Sequence, residues 1–358
     1  MTVSEFDDYR PPETRRRKGG GKSDRGAKRG TRGEVPVVPE AEFSSYYGRP
    51  VVKPPPWGNP IALYLFLGGV AGGSALLGVG AQFTGKVVLC RNSRLAALAS
   101  VGIGGAALVV DLGRPERFLN MLRTIKLTSP MSLGSWILAA FSAGAGVAAV
   151  SELDRLTGSR VPLGPLRGLL RALEGPAGVE AAVLAAPLSA YTAVLLSDTA
   201  NPTWNAARED LPFVFVGSAS LAAAGLALVT TPVREAGPAR ILAGLGVAGE
   251  LVATHLMEKN MDPVAAEPLH LGGPGRMLRW SQRLALVGGL GVLAGGRHRV
   301  VAAVSGAALL GASALTRFGV LHAGLRSTED PRYTIEPQKA RLAQRRQAGI
   351  VHDSITTA

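Results

Sequence analysis

Apolar runs of about twenty residues recur along this chain, separated by short stretches rich in Gly, Pro and charge, and nothing else in the sequence constrains the fold as strongly. A helix rises about 1.5 Å per residue, so each run reaches across a hydrocarbon core of about 30 Å. Hydrophobic residues make up 47% of the 358 positions and charged residues 18%, and their clustering excludes the amphipathic or alternating pattern of a soluble enzyme. Eight runs are expected to span, near 60–82, 95–112, 131–150, 180–205, 211–231, 241–257, 280–296 and 300–320. The fold class is therefore an all-α polytopic membrane protein with eight transmembrane helices. An even number puts both tails on one side, taken here as the cytoplasmic side of the cell membrane. Away from the tails, Lys and Arg favour neither side.

Residues 1–42 are polar, Gly-rich and basic, too poor in apolar groups to build a core, and are expected to form a disordered tail. With no apolar leader in this stretch, the first span is expected to act as the insertion signal. Residues 43–59 pair aromatics with a Pro run, which suits either an extended strap along a partner or a stiff linker with Trp57 as an interfacial anchor. The membrane domain is expected over 60–325 and a polar, basic tail over 326–358. In the first span, Gly68 with Gly72 and Gly69 with Gly73 form two overlapping small-residue pairs, which predict backbone-to-backbone packing. Glu116 to Lys126 reads as a short amphipathic helix, with Phe118, Leu119, Met121 and Leu122 toward the membrane and Arg117, Arg123 and Lys126 toward water. Arg317, near the end of the last span, is expected to snorkel.

The net charge of +13 lies mostly in tails and loops, where anionic lipid headgroups account for it, and no nucleic-acid-binding pattern accompanies it. A single cysteine, Cys90, excludes a disulfide framework and a self-contained iron–sulfur cluster. Of the five histidines only His255 sits well inside a span, with His270, His298, His322 and His352 in loops or near ends, so neither haem nor another metal site is expected.

Chemistry concentrates in Glu180 to Asn205. At about 100° per residue, Glu180, Tyr191 and Asp198 fall within about 20° of one another, and the stripe they form is about 27 Å long. Intramembrane ionisable groups are functional candidates, although Glu180 and Asp198 also suit interfacial residues at ragged helix ends, with Tyr191 packed in a bundle. Asp111 closes the second span, where Arg114 or Arg117 can pair with it. Glu250 lies mid-span with no Lys or Arg within a turn of its own helix, and His255 points about 140° away from it. Asp111, Glu180, Asp198, Glu250 and His255 are candidate proton carriers, because burial disfavours a charged form and favours exchange.

The stretch DLGRPERFLNMLRTIKLTSPMSLGSW (Asp111 to Trp136), the motif NPTWN (Asn201 to Asn205) and the opening WGNPIALYLFLGGVAGG resemble the NrfD/PsrC family. These are membrane subunits of polysulfide reductase-like and related oxidoreductases. The tails resemble those of actinobacterial members, some of which accompany a formate dehydrogenase-like catalytic subunit. The resemblance implies two four-helix bundles without metal, passing electrons between a quinone, commonly menaquinone, and a docked four-cluster ferredoxin-like iron–sulfur subunit beside a molybdopterin catalytic subunit. The chain would not be catalytic alone, and proton translocation can accompany the electron transfer. In relatives an Asn, a His and a Tyr line the quinone pocket, and the matching positions here are Asn59, Ala62 and Tyr191, so the histidine is missing. Two other classes compete. A secondary transporter would show an inverted repeat with matching broken helices, of which only Pro187 is a candidate, and a passive anchor would bind no quinone.

Overall fold

The computed structural model describes residues 50–160 and 162–349. The expected tail over 1–42, the start of the 43–59 segment and the end of the C-terminal tail lie outside the described residues. Helices account for the regular structure, and no strand occurs among the described residues. Seven helices are long and apolar enough to cross a membrane: α1 (Asn59–Phe83), α2 (Val87–Asp111), α3 (Pro130–Leu156), α4 (Leu166–Ser197), α6 (Leu211–Thr230), α7 (Gly237–Asn260) and α10 (Arg299–Ser327). The chain is a multi-pass membrane protein. Short helices α5 (Pro202–Ala206) and α8 (Pro263–His270) lie between them, and α11 (Arg332–Gln347) follows.

The expected count of eight is met only in part. Helix α9 (Gly272–Gly295) has the length of a span, but Arg276, Arg279 and Arg283 lie along one face of its first half and lower its apolar character. It nevertheless runs antiparallel along α10, from Leu278 against Gly319 at one end to Gly295 against Val301 at the other.

Two rings of four helices result. Helices α1 to α4 each pack on the next, with α4 returning to α1, and α6, α7, α9 and α10 close a second ring in the same way. The rings join through α1 and α4 against α6 and through α1 against α10. Helices α1 and α6 are built almost wholly of small and aliphatic residues and are the most buried, as helices apolar on all sides should be. Outer helices leave Ile103, Val183, Ile241, Leu290 and Val304 exposed, the side that acyl chains would cover.

Three of the four paired glycines of α1, Gly69, Gly72 and Gly73, pack closely as their spacing predicts, against two neighbours at once, while Gly68 meets nothing. A Cβ on Gly72 would stand 2.8 Å from the Ala185 carbonyl oxygen of α4, and one on Gly73 would stand 2.6 Å from the Ala223 Cβ of α6. Only glycine lets three backbones come this close, and that contact is the seam between the rings.

The fourth span is shorter at its far end than the sequence suggests. Helix α4 stops at Ser197, and Pro202 opens α5 as a separate turn. That turn carries Trp204 into the core, where its Nε1 donates to the Val320 carbonyl at 2.8 Å and its ring stacks on Trp57 with centroids 5.8 Å apart. Trp57 is half-buried against Trp204, which neither the strap nor the anchor reading of residues 43–59 excludes.

Candidate functional site

A cavity of about 300 Å³ lies inside the first ring, bounded by α1 to α4 and by Trp57. Its wall is mostly aliphatic, with Ile61, Leu65, Val101, Leu138 and Leu196 among the lining side chains. Ile61, Tyr64 and Leu65 stand at i, i+3 and i+4, which is one face of α1. From the opposite wall Tyr191 of α4 leans over Gly134 of α3, where a Cβ would occupy the space of its ring. The Tyr64 and Tyr191 hydroxyls meet in a hydrogen bond, and neither has another partner among the described residues. Ser135 and Ser142 also line the cavity, but each hydroxyl donates into its own helix, to the Met131 carbonyl at 2.9 Å and the Leu138 carbonyl at 2.6 Å.

The segment following α2 covers this cavity. Pro115–Leu122 forms a 3₁₀ helix, in which positions three apart share a side, so Phe118 and Met121 both line the cavity together with Leu122. This corrects the expectation that these side chains face the membrane; of the four, only Leu119 remains exposed. Folding back over the bundle mouth half-buries Phe118, Met121 and Leu122 against protein. Two donors from α3 hold the segment there, as Trp136 Nε1 and Ser132 Oγ reach the Thr124 carbonyl at 3.3 and 3.0 Å.

The other candidates are scattered. Asp111, half-buried at the end of α2, lines the same cavity, and no ion pair joins it to Arg114 or Arg117 among the described residues. Asn59 does not reach the cavity: two residues before Ile61, it points about 200° away, is exposed and meets His322 Nε2 at 3.1 Å. Ala62 is fully buried in the core. Glu180 packs against Gly144 of α3, with its Oε2 buried and unpartnered, and Asp198 is exposed just past the end of α4. The stripe on α4 therefore turns toward α3 at Glu180 and Tyr191, and only Tyr191 lines the cavity.

In the second ring Glu250 is 4% exposed and accepts a hydrogen bond from Thr316 Oγ1 at 2.5 Å. Thr316 and Ser281 share a further bond at 2.6 Å. Arg317 is 0% exposed, forms no ion pair with Glu250 within 4 Å among the described residues, and its Nε and Nη1 have no hydrogen-bond partner there. Its Nη2 donates to the Phe215 carbonyl at 2.6 Å, and its guanidinium lies 3.7 Å from the Phe215 ring centroid. Snorkelling is thus corrected: α10 continues to Ser327, which leaves Arg317 deep within the helix. His255 is exposed, on a different side of α7 from Glu250.

A family model described as "Polysulphide reductase, NrfD" matches residues 51–246, more than half of the chain, and takes in the whole cavity. The chain belongs to the NrfD family. Over 150 residues it is 28% identical to a polysulfide reductase subunit of Wolinella succinogenes, a match covering 39% of this protein and 47% of that one. The protein thus spans about half the length of that curated relative. Within the family match, Tyr64 is the cavity residue that sequence reasoning passed over. The signal was present, since Tyr64 is a lone phenol in a largely apolar span. Arg317 and Thr316 lie beyond the matched residues. No group of three or more His, Cys, Asp or Glu side chains is placed to hold a metal among the described residues.

Proposed function

We propose that this chain is the quinone-interacting membrane subunit of a multi-subunit oxidoreductase, and that the quinone ring, menaquinone in the favoured reading, occupies the cavity beside Tyr191. The observation that carries the reading is an apolar cavity of about 300 Å³ into whose wall two phenols bring their paired hydroxyls. A ring with two carbonyls suits that composition, because aliphatic walls take the ring and a small number of placed donors fix its orientation. Bound there, the quinone would take up two electrons and two protons to become the quinol. Tyr191 holds one carbonyl oxygen by donating to it, and the Phe118, Met121 and Leu122 cover excludes water. Asp111, at the end of α2 on the cavity lining, exchanges protons with the surface. Asn59 takes no part, being engaged with His322.

Electrons would arrive from a docked iron–sulfur subunit beside a molybdopterin catalytic subunit, on the face where α1 begins and where the cavity cover, α5 and α8 gather. We take α9 as the eighth span, since it keeps company with α10 along its length; both tails then share the cytoplasmic side of the cell membrane. A passive anchor would not require an apolar cavity with paired phenols, which favours the redox reading.

The test is binding of 2,3-dimethyl-1,4-naphthoquinone to the purified full-length chain, followed by quenching of tryptophan fluorescence, with Trp57 beside the ring as reporter. Tyr191→Phe is expected to weaken binding about three- to tenfold, the worth of one neutral hydrogen bond. Unchanged affinity would remove the ring from this cavity.

A further inference from the structure

Tyr64 offers what the missing histidine does not. Two hydroxyls in one hydrogen bond have two protons between them and use one, so the Tyr64–Tyr191 pair retains one O–H with no acceptor among the described residues. A buried donor left unsatisfied is costly, which makes that O–H the group a ligand acceptor would engage. Burial gives the pair a direction. Tyr64 is 3% exposed and wedged near Gly104, whereas Tyr191 is only half-buried at the cavity wall.

We infer that Tyr64 is a positioning residue for the quinone site: its hydroxyl donates to the Tyr191 oxygen and so turns the Tyr191 proton toward a ligand carbonyl. The inference rests on the quinone reading above. It gives α1 a role in the site through its fifth helical residue past Asn59 and replaces the expected first-turn donors by one deeper phenol acting through another. A donor that accepts a hydrogen bond is also polarised by it, so the bond from Tyr191 to the carbonyl strengthens when Tyr64 is in place.

Binding of 2,3-dimethyl-1,4-naphthoquinone and of 2,3-dimethylnaphthalene, which has the same rings and no carbonyls, separates this role from packing. In the full-length chain Tyr64→Phe is expected to weaken the quinone about two- to fivefold and to leave the hydrocarbon unchanged. The double variant with Tyr191→Phe should bind the quinone no worse than Tyr191→Phe alone, because Tyr64 acts through Tyr191. Infrared spectra of the carbonyl-labelled quinone provide a second measurement: its C=O band should rise in frequency with Tyr64→Phe as the hydrogen bond weakens. Tyr191→Phe weakening the quinone while Tyr64→Phe changes neither affinity nor the band overturns the inference and leaves the site reading intact. Losses that multiply in the double variant overturn the relay. No effect from Tyr191→Phe overturns the site reading and the inference with it.

Discussion

Arg317→Met is expected to destabilise the protein by about 1–3 kcal/mol, because it removes a fully buried guanidinium that donates to the Phe215 carbonyl and lies over the Phe215 ring. Glu250 would keep its bond from Thr316. The cost is that of a lost charged donor and ring contact, so Glu250→Gln in the Arg317→Met background should not recover it. Thermal melts of the detergent-solubilised chain would read both the single and the double variant as a few degrees less stable than the parent. A single variant as stable as the parent would mean that the Phe215 contacts contribute nothing to the fold. The cavity beside Tyr191 lies in the other ring, so naphthoquinone affinity should be unaffected where the variant is folded.

Trp204→Ala should show the opposite combination, losing stability and the site together. Its side chain is fully buried, stacks on Trp57 and is backed by Gly324, and its Nε1 satisfies the Val320 carbonyl. Truncation of a core tryptophan costs about 3–5 kcal/mol, and loss of the Nε1 bond to the Val320 carbonyl, which keeps its helical donor, adds about 0.5–1.5 kcal/mol. Trp57 would lose the ring that holds it against the cavity, so quinone affinity should fall as well, measured by isothermal titration since the fluorescence reporter is disturbed. Trp204→Phe keeps the stack and removes only the donor. It should lose about one fifth of the stability that Trp204→Ala loses, and retain binding. If Trp204→Ala folded normally and bound normally, NPTWN would be a surface turn and not the keystone of this junction.

Much of the fold could be read from the sequence because lipid imposes simple rules. Runs of about twenty apolar residues locate the helices, within a few positions for α1, α6 and α7, whereas α2, α4 and α9 begin eight to fourteen residues before their apolar runs because charged residues interrupt their opening turns. Gly72 and Gly73 announce close packing because a Cβ there meets backbone. What failed was local geometry that depends on partners. Arg317 stands near the end of its apolar run, so its depth could be seen only once α10 proved to continue to Ser327. Phe118 and Met121 have the pattern of an interfacial helix; which apolar surface they cover is decided by the fold of the chain after Gly113 and not by their spacing. Helix α9 carries three arginines that blunt its hydropathy, and its pairing with α10 is tertiary information. The site was half legible: helical spacing brought out Tyr191, while Asn59 drew attention from the resemblance and Tyr64, only five residues on, did not.

Whether a quinone ring sits in the first ring of helices is open to direct labelling: photo-crosslinking with an azido-naphthoquinone, followed by mass mapping of the labelled peptides. A ring seated beside Tyr191 predicts label on residues of the cavity wall, in the 118–139 stretch and around Tyr191 to Leu196, suppressed by excess unlabelled naphthoquinone. Saturable label confined to α7, α9 and α10, with the first ring clean, would contradict it.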